Sequence, residues 1–138
     1  QQEKLTDSLA RLERGESFPY ILGHWEFYGL NYDITPDVLI PRPETELLVE
    51  RAINWLSENP NRRSIVDVGT GSGIIATSIA VNVPDAVILA TDISPKALEI
   101  AKRNVEKYNV NSRVVLTECD LLPAHSSIIG RQNKIDLL

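Results

Sequence analysis

The chain has 138 residues, 43% of them hydrophobic and 24% charged, with a net charge of −5 and a pI near 5.0. That is length enough for one domain with a modest core, and the acidic balance excludes a generally basic nucleic-acid-binding surface. A single cysteine excludes an internal disulfide and points to a reducing compartment, the cytoplasm, while no apolar run approaches the roughly 20 residues of a membrane span.

The start, Gln1-Gln2-Glu3-Lys4, is not a signal peptide, and the absence of any methionine reads as a piece of something longer. Leu5, Leu9 and Leu12 recur at helical spacing and Gly15 is a good stop, which predicts a short helix at the end of an earlier helical unit, residues 1–17. Residues 18–29 are rich in aromatics, and Leu30, Tyr32 and Ile34 alternate with polar residues. Period two with aromatics predicts strands, and Gly29 marks the turn, so residues 18–42 read as a β-hairpin linker. Pro36, Pro41 and Pro43 punctuate the loop that follows. Pro43 suits the first position of a helix, with Glu44 and Glu46 favourable in its first turn and Asn59-Pro60-Asn61 ending it.

From Ser64 onward the alternation is regular. Strands are predicted over 65–68, 87–90 and 114–116, with helices over 72–81 and 95–108, the second capped by Ser94. Residues 135–138 read as the start of another strand, and 124–133 as a loop or short helix. Short apolar strands alternating with helices imply a doubly wound parallel sheet over residues 43–138.

The most informative segment is Val66-Asp67-Val68-Gly69-Thr70-Gly71-Ser72-Gly73, an apolar strand ending in a D-x-G-x-G-x-G turn. The first glycine allows a sharp turn and the next let a ligand press on bare backbone, as nucleotide-like cofactors do at the carboxyl end of a parallel strand. A dinucleotide fingerprint, G-x-G-x-x-G, needs a glycine where Ile74 stands if counted from Gly69. Counted from Gly71 it meets Ala76, but Gly69 is then unexplained. Asp67, two residues before the first glycine, suits a ligand with a positive end and would repel a pyrophosphate. S-adenosylmethionine, an ammonium and a sulfonium without phosphate, fits this charge better than NAD. Asp92 lies 19 positions after Gly73, where an acidic residue accepts from ribose hydroxyls, and Ile93 beside it can pack on adenine. Asp120, after the third strand, suits the adenine amino group, with Leu121 as an apolar wall. Cys119 reads as a small buried residue, His24 and His125 have no ligand set around them, and the mixed charges of residues 96–107 read as a solvated helix face.

The segments Phe18-Pro19-Tyr20-Ile21-Leu22-Gly23, Glu26-Phe27-Tyr28-Gly29-Leu30 and Leu39-Ile40-Pro41-Arg42-Pro43-Glu44-Thr45-Glu46, together with the glycine turn, resemble the HemK/PrmC family of protein-(glutamine-N5) methyltransferases. I-P-R-P-E-T-E is the most specific of them; the glycine turn is shared by many methyltransferases. The resemblance runs from about Phe18 to the C-terminus. It implies a Rossmann-like S-adenosylmethionine-dependent fold with strand order 3-2-1-4-5-7-6, here a partial doubly wound sheet preceded by the hairpin linker and the end of a helical domain. It implies methylation of the glutamine in the G-G-Q loop of peptide chain release factors, by direct attack of the amide nitrogen on the sulfonium methyl, with no metal, no direct nucleic-acid partner and no membrane. Carried over, Gly69, Thr70, Gly71, Ser72 and Gly73 line the methionine end, Asp92 holds the ribose, and Asp120 and Leu121 border the adenine. Phe27, Arg42, Pro43 and Glu44 lie near the transferred methyl and the glutamine pocket. The family's N-P-P-Y motif follows its fourth strand, and this sequence stops at Leu138 before it, so the expectation is a chain with the cofactor half of the site and little or no turnover alone. The competing readings are a nucleic-acid amino-methyltransferase, an NAD-dependent dehydrogenase and a non-catalytic cofactor-binding module.

Overall fold

The computed structural model describes residues 2–123 and 135–138; the predicted loop over 124–133, with His125, lies outside them. The elements in chain order are α1 (Gln2–Glu13), α2 (Phe18–Leu22), β1 (His24–Phe27), β2 (Leu30–Asp33), α3 (Pro43–Glu58), β3 (Ser64–Val68), α4 (Ile74–Asn82), β4 (Val87–Asp92), α5 (Pro95–Lys107) and β5 (Val114–Glu118).

α1 ends where Gly15, at φ +81°, donates its N–H to Leu12 O. The next segment corrects the sequence reading. Residues 18–22 form a helical turn rather than part of a strand, because Pro19 sits in its first turn, where no N–H is needed, and Gly23 closes it in the left-handed conformation, φ +76°. The hairpin is therefore shorter, His24–Phe27 against Leu30–Asp33, in antiparallel register Phe27↔Leu30 to His24↔Asp33. Tyr28 and Gly29, at φ +50° and +71°, make its two-residue turn, the primed geometry that matches strand twist. The Glu46 carboxylate accepts the Tyr28 N–H at 2.8 Å, fastening the turn to the first helical turn of α3.

Three parallel strands form a sheet in the order β3-β4-β5, with Ile65 opposite Ile88 and Ile88 opposite Val114. Leu137 bridges Ile65 in parallel, and Val66 N–H donates to Leu137 O at 2.9 Å. Since β3 already has β4 on one side, the Leu137 segment takes the other, which gives the order third, second, first, fourth among parallel strands. Asp136 secures this edge: its carboxylate accepts from Arg63 N (2.9 Å), Ser64 N (3.1 Å) and Arg62 Nη1 (3.0 Å). The Ser64 N–H foremost, with Arg62, holds its pKa below the usual carboxylate range.

The main core lies between this sheet, helices α3, α4 and α5, and the hairpin: Val49, Leu56, Ile65, Ile79, Ile88 and Val105 are buried there with Phe27 and Tyr32. Tyr32 brings a hydroxyl into it and shares a 2.7 Å hydrogen bond with Ser78; burial pushes its phenol pKa well up. A second cluster seats the post-hairpin loop on α5 through Ile34, Val38, Ala97 and Ile100. Arg113 donates to Ala80 O (2.8 Å), Val83 O (3.2 Å) and Ala86 O (3.2 Å), closing the carbonyl end of α4 and the turn after it.

Candidate cofactor site

β3 delivers Asp67 and Val68 to the carboxyl edge of the sheet, and residues 69–73 turn the chain into α4. Gly69, Gly71 and Gly73 all have positive φ, +72°, +56° and +74°. A Cβ at Gly69 or Gly71 would meet nothing within 4 Å, so both face open space. Gly73 differs from the expectation that it faces a ligand: a Cβ there would stand 3.0 Å from Ala101 Cβ and 3.2 Å from Ala101 Cα. It is the close contact between turn and α5, and α4 begins only after it, at Ile74 rather than 72.

The turn spends three of its N–H groups within the protein. Thr70 N donates to Thr91 O (2.8 Å), Gly73 N to Thr70 O (2.9 Å), and Gly71 N to Asp92 Oδ2 (2.9 Å). This is the reverse of an anion cradle, in which such groups point at the ligand. Asp92 is the last residue of β4, two strand positions beyond the predicted run. Its other oxygen, Oδ1, accepts Ser94 N at 2.9 Å. A carboxylate has about four acceptor positions, so each oxygen keeps one for an incoming donor, a pair suited to a vicinal diol. Ser94 caps α5, as the sequence predicts, by accepting Ala97 N at 3.3 Å.

Asp67 is partly buried beneath the turn, accepting from Thr70 Oγ1 at 2.7 Å. Burial raises its pKa; Thr70 and the Ala76 N–H pull it down, and Asp92 pushes it up again. Ile93 and Leu121 are each 68% exposed, two large apolar side chains beyond the ends of adjacent strands β4 and β5. Leu121 is held at φ +62°, its carbonyl accepting the Thr91 hydroxyl at 2.7 Å, and Cys119 N donates to Asp92 O at 3.1 Å. Asp120 is exposed between them, and Cys119 is half-buried. The structure thus brings Asp67, the glycine turn, Asp92, Ile93, Asp120 and Leu121 to one edge of the sheet.

The other predicted residues lie elsewhere. Phe27 is 2% exposed, its ring edge-on to Tyr32 at 6.3 Å between centroids, so its surface is spent on the core. Arg42, Pro43 and Glu44 are exposed at the start of α3, beside the hairpin turn that Glu46 holds. An apolar cavity of about 490 Å³ opens between α3, β3, α4 and Leu137; it reaches Asp67 and Val68 but is not lined by the turn. Sequence reasoning missed Asn104 altogether. It is completely buried, and its amide donates to Ser72 O at 2.8 Å, holding the turn from behind. The available signal was a polar residue on the apolar face of α5.

The family described as methyltransferase small domain matches residues 44–127. The chain belongs to that family. Among curated relatives, the release factor glutamine methyltransferase of Bordetella pertussis is 44% identical over 130 residues, covering 94% of this chain and 45% of the relative. That of Coxiella burnetii is 47% identical over 112 residues, covering 81% and 40%. The chain therefore spans under half the length of these relatives. Among solved structures, the N-terminal domain of human METTL16 superposes with a TM-score of 0.56 at 24% identity, covering 78% of this chain and 42% of that one. That likeness carries the fold, the Rossmann-like α/β methyltransferase sheet expected from the sequence, here as three parallel strands and a fourth bridge.

Proposed function

We infer that this chain carries the cofactor half of an S-adenosylmethionine-dependent methyltransferase whose substrate is the G-G-Q glutamine of a peptide chain release factor. The observation that carries the cofactor is the hydrogen bond from Gly71 N to Asp92. A phosphate at this turn would meet a carboxylate where it needs a donor, whereas a cationic, phosphate-free ligand meets Asp67 and a diol meets Asp92. The residues fit the group: Asp67 and residues 69–72 for the methionine end, Asp92 for the ribose, and Ile93, Asp120 and Leu121 for the adenine. When bound, S-adenosylmethionine supplies an electrophilic methyl on a positively charged sulfur. The protein's part is to hold that cation beside Asp67, fix the diol through Asp92 and shield the base between apolar side chains.

The release factor is supported by the relatives in Bordetella pertussis and Coxiella burnetii, both named for that activity. Arg42, Pro43 and Glu44 are the exposed groups we assign to the acceptor side, with residues 1–17, 18–42 and 43–138 as the end of a helical unit, the linker and the cofactor domain. The setting we propose is the bacterial cytoplasm; among the described residues no helix is long and apolar enough to cross a membrane. Calorimetric titration with S-adenosylmethionine and, separately, NADH tests the cofactor: binding of the first alone is expected, and binding of NADH alone overturns the reading. Incubating the full-length protein with radiolabelled S-adenosylmethionine and a release factor, DNA or RNA tests the substrate. Label in the release factor is expected, and label only in nucleic acid overturns it.

A further inference from the structure

The hairpin and the glycine turn are far apart in sequence, yet one side chain holds both. Asn104 Oδ1 accepts Asp33 N at 2.8 Å, and its Nδ2 donates to Asp33 O at 2.9 Å and to Ser72 O at 2.8 Å. Both amide hydrogens are used, and the side chain is wholly buried. One turn further on, at the C-terminal cap of α5, Tyr108 repeats the grip: its hydroxyl accepts Asn31 N and donates to Asn31 O, both at 2.7 Å. The spacing explains why this works. Residues four apart on a helix rise about 6 Å, and residues two apart on a strand about 6.6 Å. With a two-residue turn after Phe27, Asn31 and Asp33 are the non-hydrogen-bonded positions of the hairpin, so their N–H and C=O point outward. α5 thus covers the free edge of β2 with side chains that imitate a strand. Lys107 Nζ adds an ion pair to Asp33 Oδ1 at 2.9 Å.

We propose that Asn104 is a positioning residue that links the hairpin to the cofactor turn, so that occupancy of the turn fixes the backbone of Asp33. Tyr108 makes the same kind of bond to the hairpin but none to the turn, which makes it the internal control. The inference rests on the reading that S-adenosylmethionine occupies the turn.

The test is amide hydrogen exchange by NMR with and without saturating S-adenosylmethionine, together with its Kd. In the wild type the ligand should slow exchange at Asp33 at least threefold more than at Asn31, a difference that a uniform gain in stability does not produce. Asn104→Ala should abolish that difference and raise Kd about tenfold. Tyr108→Phe should speed exchange at Asn31, leave the effect at Asp33, and keep Kd within twofold. Binding to the wild type with equal slowing at both amides overturns the link, and that result needs no variant, so it decides the matter even if Asn104→Ala does not fold. A Kd for Asn104→Ala within twofold of wild type overturns it as well. No binding of S-adenosylmethionine to the wild type overturns the cofactor reading, and the link falls with it.

Discussion

Asp92 accepts the Gly71 N–H at 2.9 Å, so the carboxylate we propose for the ribose also pins the glycine turn. One residue thereby shapes the turn and, in the proposed reading, meets the ligand, and its substitutions should separate the two roles. Asp92→Asn keeps one acceptor for the turn and loses the charge. Asp92→Ala loses the bonds to Gly71 and Ser94 together.

Hydrogen bonds to a charged group are worth about 1.5–3 kcal/mol each. Asp92→Ala should therefore weaken S-adenosylmethionine binding by about 10- to 100-fold and lower the unfolding midpoint. Asp92→Asn should weaken binding by a similar factor with a smaller loss of stability. Calorimetry and urea unfolding on the same samples check this; equal stability losses for the two variants would show that Asp92 does not brace the turn.

Gly71 and Gly73 should respond to alanine in opposite ways. Both carry positive φ, but only Gly73 has a neighbour in the way, Ala101. Alanine in the left-handed region costs about 1–2 kcal/mol. At Gly73 the contact with Ala101 adds to it, and α5 has to shift. Gly73→Ala is expected to lose about 3 kcal/mol of stability, whereas Gly71→Ala loses about 1–2 kcal/mol and places a methyl in the open space proposed for the ligand. The prediction is that Gly71→Ala impairs S-adenosylmethionine binding more than folding, and Gly73→Ala folding more than binding, read by thermal unfolding and calorimetry.

Arg113 gathers three carbonyls from the end of α4 and the turn beyond it; one of them, Val83 O, also accepts the Ala86 N–H at 3.0 Å. Arg113→Ala should cost about 2–3 kcal/mol, since orphaned carbonyls carry their desolvation penalty. Arg113→Lys reaches only part of the fork and should recover less than half. Cofactor affinity is expected to stay within twofold of wild type at temperatures below the transition, because Arg113 touches none of the turn.

The parallel sheet and the glycine turn were legible because they depend on local chemistry. Apolar runs of three or four residues, Ser94 before Pro95, and glycines where φ is positive each carry their meaning within a few positions. The position of Asp92 beside the turn was legible by its spacing from Gly73. Residues 18–22 were misread because aromatic content favours strand, while Pro19 and Gly23 fix a helical turn at its two ends. Phe27 was placed near a substrate on resemblance, yet its surroundings depend on Tyr32 and the packing of α3, which no local pattern encodes. Asn104 was invisible for the same reason: its partners, Asp33 and Ser72, are 71 and 32 residues away.

Asp67 gives the site a pH dependence of definite sign. Burial raises its folded pKa above the ordinary value of 3.8, with Asp92 contributing in the same direction. The native chain therefore keeps this proton at pH values where the unfolded chain has lost it, and across that window the unliganded fold loses stability as pH rises. A cationic ligand favours the ionised carboxylate, so binding must expel the proton wherever Asp67 still holds one. S-adenosylmethionine affinity should fall as pH drops through the raised value, with proton release on binding that appears as different heats in buffers of different ionisation enthalpy. Asp67→Asn keeps an acceptor for Thr70 but has no proton to lose. It should bind about tenfold more weakly at neutral pH, an effect of about 1.4 kcal/mol, and its affinity should be flatter toward acid. A wild-type profile that matches the Asp67→Asn profile would mean that the ligand's positive end lies away from Asp67, and the orientation of the cofactor on this turn would have to be reversed.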